Sequence, residues 1–188
     1  YFSVIKYLSL NASGFDLGIE SQIYSSTMHG HFFYSTLIGE SFLAEHFSPI
    51  VFLIYPIYVL FPSPITLLIL QALAISSSAI FLFLLLRYLL GKNIDRNISG
   101  TLSIALSVSY LLSPLTESPI SFDFHLMVFL NLFVFAAYYF FIKKRWILNA
   151  TMLILIVSLH SGYVLIAFFI ALSEYLMIHP ISYLHHAG

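Results

Sequence analysis

From Phe47 to Leu86 the chain runs without Asp, Glu, Lys, Arg or His, and Asn97 to Thr116 and Leu126 to Ile142 are likewise free of charge. Uncharged apolar runs of this length predict membrane-spanning helices. At a rise of about 1.5 Å per residue, Ile65 to Leu86 reaches about 33 Å, enough for a hydrocarbon core of about 30 Å. Ile98 to Pro114 and Leu126 to Ile142 lie at the short limit. Ser48 to Phe61 would reach only about 21 Å and contains Pro56, so residues 48–61 are expected to form a re-entrant or interfacial helix, although 50–61 is apolar all round. Ile147 to Ile178 would reach about 48 Å as one helix, so a break is expected at its one polar, flexible point, His160-Ser161-Gly162. The predicted spans are therefore 65–86, 98–114, 126–142, 147–160 and 162–178, in an all-α, polytopic transmembrane helical bundle. Residues 1–10 read as the end of an earlier helix.

Composition sharpens this picture. Only 8% of the 188 residues are charged, whereas a soluble domain carries about a quarter, so the chain cannot clothe a water-facing surface. Seven Lys+Arg against eight Asp+Glu excludes a basic nucleic-acid footprint, and the absence of cysteine excludes disulfides, thiolate metal sites and a thiol nucleophile. The chain starts on Tyr1 with no signal-peptide pattern and stops at His185-His186-Ala187-Gly188, so it is expected to be a single membrane domain cut from something longer.

Charge also orients the spans. All but one of the basic residues fall in two clusters, Arg87/Lys92/Arg96 and Lys143/Lys144/Arg145. By the positive-inside rule, loops 87–97 and 143–146 are expected in the cytoplasm. Loops 11–47 and 115–124 carry acids and no Lys or Arg, and are expected outside. Residues 11–64 then form a large first outer loop that includes the 48–61 helix.

The candidate chemistry lies on that outer side. Asp16 and Asp123 sit in separate outer loops; folded over one cavity, two carboxylates hold a divalent cation or accept a proton, and left apart they are solvated loop acids. His29, His31, His46, His125 and His160 fall on the same side, but without the i, i+4 spacing that puts two rings on one helical face. His125, beside Asp123, is the best-placed member of any site. His160 and Glu174 lie in apolar segments, where an ionisable group needs an internal partner or a pathway; for His160, adjacent Gly162 favours capping of the helix break. Gln71 reads as an interhelical hydrogen-bonder, and Ser76-Ser77-Ser78 as close helix packing. Asn11-Ala12-Ser13 is an acceptor pattern common by chance.

Several motifs occur in an order that resembles a known family: Gly14-Phe-Asp-Leu-Gly-Ile-Glu-Ser-Gln22, Met28-His-Gly30, Glu45-His-Phe-Ser-Pro49, Leu60-Phe-Pro-Ser-Pro64, Leu70-Gln-Ala72 and Ser121-Phe-Asp-Phe-His125. The chain resembles, over residues 5–178, a prokaryotic and largely archaeal family of polytopic membrane proteins of unknown function. That family looks like a relative of the GT-C glycosyltransferases, which take a sugar from a polyprenyl-phosphate donor on the extracytoplasmic face. The resemblance implies a GT-C-like fold whose first outer loop carries juxtamembrane helices, with Asp16 as general base or metal contact and Asp123 as the second-loop acid. On this reading Asp16, Asp123 and His125 are the expected contacts for a cation such as Mg or Mn. Glu20, Gln22, His46 and His160 are expected at the substrate.

Two departures from the family pattern open other expectations. The second acid of the first motif falls one position early, at Glu20, and Leu159-His160-Ser161 stands where the family tends to show Lys-Glu-Asp. A non-catalytic subunit of a larger membrane assembly is the first alternative. A lipid or small-solute transporter, motivated by His160 and Glu174, is the second. The expected partners are membrane lipids, a polyprenyl phosphate and other membrane subunits, and no nucleic acid.

Overall fold

A computed structural model describes residues 2–11, 14–114, 116 and 124–179. The described residues are mostly helical and contain no strand, only an isolated antiparallel bridge between Tyr34 and Ser41. In chain order the helices are α1 (Phe2–Leu8), α2 (Phe15–Met28), α3 (Phe42–Glu45), α4 (Val51–Leu60), α5 (Pro64–Leu90), α6 (Arg96–Leu111), α7 (Phe129–Ile142), α8 (Trp146–Leu159) and α9 (Val164–Ile178). Short 3-10 turns, Leu126–Val128 and Ser161–Tyr163, lead into α7 and α9.

Local chemistry explains several of the ends. Ser63 caps α5 by accepting the Ile65 N–H, and Pro64 occupies the first helical position, where its missing N–H costs nothing. Asp95 caps α6 through the N–H groups of Asn97 and Ile98. The α7–α8 turn closes with Lys144 at φ 56°, while the N–H groups of Lys144 and Arg145 return to the Phe141 and Phe140 carbonyls. α8 stops at Leu159, where His160 is extended and its Nδ1 accepts the Gly162 N–H. The carbonyls left open at that end are met from far along the chain, by the Ser48 hydroxyl on Leu159 O at 2.8 Å and the Ile50 N–H on Ser158 O at 3.1 Å. This junction fixes the start of α4 against the α8–α9 break.

α5 is the central helix, packed against α6 and α7, and α7 packs in turn on α8. Ser99, Ser103 and Ser107 form the buried face of α6, and Ser78 meets the Tyr110 hydroxyl at 2.9 Å between α5 and α6. Small residues at such crossings let two helices approach closely. Farther along, Asn149 on α8 donates to Ala137 O of α7 and to the Glu174 carboxylate of α9 at 2.8 Å, so the buried Glu174 has an internal partner.

Two stretches, Pro64–Leu90 and Ser161–Ile178, are long and apolar enough to cross a membrane. Val51–Leu60, Leu126–Ile142 and Trp146–Leu159 are apolar but shorter, and α6 has 16 residues. Among the described residues, two of the five expected spans, 65–86 and 162–178, fall within these full-length stretches.

Candidate functional site

Gly14, at φ 74° in the left-handed region, opens α2, and Asp16 stands in the first turn, where the helix dipole favours negative charge. Four and eight residues later on the same helical face come Glu20 and Tyr24. Both are buried, Glu20 at 7% exposure and Tyr24 at 0%. The Glu20 Oε2 atom and the Tyr24 hydroxyl have no hydrogen-bond partner. Burial, and secondarily the charge of Asp16, pushes the Glu20 carboxyl up to about 8, so it is mostly protonated at neutral pH. Burial followed by the charge of Glu20 holds the Tyr24 phenol well above its ordinary range. Asp16 and Glu20 therefore do not place two carboxylate charges side by side at pH 7.

His125 reaches this face from the other end of the sequence. Its Nε2 lies 3.7 Å from Asp16 Oδ2, with both side chains about one-third exposed. Its backbone N–H donates at 3.2 Å to Oε1 of Gln71, which is itself 1% exposed within α5. Neighbouring Phe124 is fully buried. Gln71 thus positions the segment that presents His125, a role that its isolation in the longest apolar helix pointed to without naming the partner.

Asp16, Glu20 and His125 line a cavity of about 590 Å³, together with Glu40, Glu45 and His46. His46 lies 3.9 Å from the Glu45 carboxylate, and its ring stands 6.2 Å from that of His160. His160 itself is next to the cavity rather than in its wall. Gln22 points elsewhere: it lines a second groove, of about 520 Å³, with Ser21, Ser25 and Tyr58, and its amide is engaged with Thr36 and Ser35. His29 and His31 are exposed outside the cavity. Asp123 lies outside the described residues.

Among the described residues, no three His, Asp or Glu side chains come together as a metal ion would require. Asp16 and His125 are two of the three residues expected at a cation, the third, Asp123, lying outside the described residues, and a carboxylate beside an imidazole is also a pair able to move a proton.

Residues 6–178 match a family described as "Predicted membrane protein (DUF2079)". The chain belongs to this family. The family's description as a membrane protein agrees with the chain's scarcity of charge and its two full-length apolar helices. No curated protein and no solved structure matches it. Within this family member, the Asp16 cavity is built from α2, the 37–46 segment and the Phe124-His125 approach to α7.

The Gln71 contact gives a direct expectation. Gln71→Leu keeps the apolar packing but removes the Oε1 acceptor of the His125 N–H, at a cost of about 1–3 kcal/mol. Thermal unfolding in detergent should register this loss, whereas His125→Ala, which keeps the N–H, should unfold close to the unaltered protein. Equal stability of Gln71→Leu and wild type would remove the positioning role.

Proposed function

We propose that the protein is a GT-C-like integral membrane glycosyltransferase that moves a sugar from a lipid-phosphate-linked donor to an acceptor hydroxyl at the extracytoplasmic face. The observation that carries this reading is the Asp16–His125 contact over a cavity that also holds a protonated carboxyl, Glu20. Lys143 of the second basic cluster lies over the ring of Tyr88 beside the first cluster, in keeping with both clusters sharing the cytoplasmic face.

In the proposed step, Asp16 takes the proton of the acceptor hydroxyl while its oxygen attacks the anomeric carbon. The new C–O bond forms as the bond between that carbon and the donor phosphate oxygen breaks, and the lipid phosphate leaves with the electron pair. His125 orients Asp16 and shares the proton it gains. Glu20 lines the same cavity as a neutral group and spares the departing phosphate a second negative neighbour.

A second reading, a non-catalytic subunit packed into a larger membrane assembly, rests on Leu159-His160-Ser161, where three charged groups are expected in the resembling family. Native mass spectrometry of the detergent-purified protein separates the two. A co-purifying polyprenyl phosphate that disappears in Asp16→Asn supports the transferase. A stoichiometric protein partner accompanied only by bulk lipid supports the subunit and overturns the transferase.

A further inference from the structure

At the opposite end of the bundle, the last turn of α5 holds a second polar site. A hollow of about 400 Å³ is lined by Arg87, Tyr88, Gly91, Lys92 and Arg96. The Lys92 ammonium lies 4.6 Å from the centre of the Tyr88 ring, and Lys143, arriving from the end of α7, lies 4.7 Å from the same centre. Arg87 donates to Ser99 Oγ on α6, and its Nε passes close to Gly100, where an added Cβ would stand 3.8 Å away. Three helices thus bring four cations to one ring and one hollow.

Ordinary helix electrostatics accounts for only part of this. Arg87 and Lys92 suit the carbonyl end of α5 and Lys143 that of α7, but Arg96 begins α6, where a positive charge opposes the dipole. Little carboxylate is at hand to balance them. Asp95 accepts the Asn97 and Ile98 N–H groups and its charge also reaches Arg87, so one carboxylate stands beside the four cations, while Glu174 is bonded to Asn149. One carboxylate against four cations leaves a net positive charge that a bound anion would balance. The site also follows directly on the apolar run that ends at Leu86, the depth at which a headgroup phosphate meets a spanning helix.

We propose that this hollow binds the phosphate group of an anionic membrane lipid, with Lys92, Lys143 and Arg96 as its cationic contacts and Tyr88 as the platform holding both ammonium groups in place. Binding there is independent of the chemistry at Asp16.

The test uses the full chain purified in detergent and titrated separately with phosphatidylglycerol, phosphatidylcholine and inorganic phosphate, read by native mass spectrometry and by thermal unfolding. One phosphatidylglycerol per chain is expected to be retained and to raise the unfolding temperature, with phosphatidylcholine having no such effect. Lys92→Gln combined with Lys143→Gln should weaken phosphatidylglycerol binding at least tenfold while helicity is unchanged. Arg96→Gln, at an exposed position, is the second variant and should weaken it in the same direction. Undiminished binding in both variants, or equal retention of phosphatidylcholine, would overturn the site. Inorganic phosphate binding as tightly as phosphatidylglycerol would overturn the lipid as its source.

Discussion

Glu20→Gln should remove a pH dependence of stability expected of the unaltered protein between about pH 4.5 and about pH 8. The native state holds a proton on Glu20 up to about pH 8, whereas the unfolded chain releases it near the ordinary value of 4.5. Across that window the unfolded state binds fewer protons than the native one, so stability falls as pH rises. It is highest below the unfolded value and levels off above the folded one. At about 1.4 kcal/mol per unit, the full effect is about 5 kcal/mol. Glutamine preserves the shape but does not titrate. Its amide introduces donors into a place where Oε2 already lacks a partner, which lowers stability by a constant amount and leaves the slope unaffected. Thermal unfolding of both proteins from pH 4.5 to 9 decides the matter, and an unchanged slope in Glu20→Gln would show that the carboxyl is not held neutral by burial.

The second large effect belongs to Asp16. Asp16→Asn retains the side-chain volume and the first-turn position in α2 but cannot accept a proton from an attacking hydroxyl. Transfer from a lipid-phosphate-linked sugar in proteoliposomes is expected to fall by about 10²–10⁴-fold, the usual contribution of a general base. His125→Ala, which removes the group orienting Asp16 but leaves the base in place, should lower the rate less. Wild-type transfer by Asp16→Asn would eliminate the proposed base. A matching loss of helicity in that variant would instead mark Asp16 as a residue of the fold, which its one-third exposure argues against.

Part of this site was legible in the sequence. Asp16 and His125 stand out as ionisable groups in segments with acids and no Lys or Arg, and Gln71 as a lone amide in the longest apolar run. Their convergence was not legible, because Asp16 and His125 meet only through the packing of α2 and the Phe124-His125 segment against α5. Glu20 looked like a displaced motif acid. Its burial depends on which face of α2 turns inward, and a helix of mixed composition does not announce that face. Gln22, expected beside it at the substrate, sits instead on the groove shared with Tyr58 and is engaged by Thr36. Two residues along a helix turn a side chain by about 200°, so neighbours in a motif need not share a site.

The sequence by itself determined that the chain is helical and belongs in a membrane, since so few charges cannot cover a soluble surface and lipid requires a spanning segment to satisfy its own backbone. It also determined local punctuation, at Ser63-Pro64, at Asp95 and at His160-Gly162, because caps and breaks are made by residues a few positions apart. Only the tertiary structure decided that the Ser48-to-Ile50 segment closes the end of α8 and that Lys143 comes to lie on Tyr88. These relations join groups far apart in the chain. They are set by the register and rotation of packed helices, to which hydropathy, averaged along a segment, carries no information.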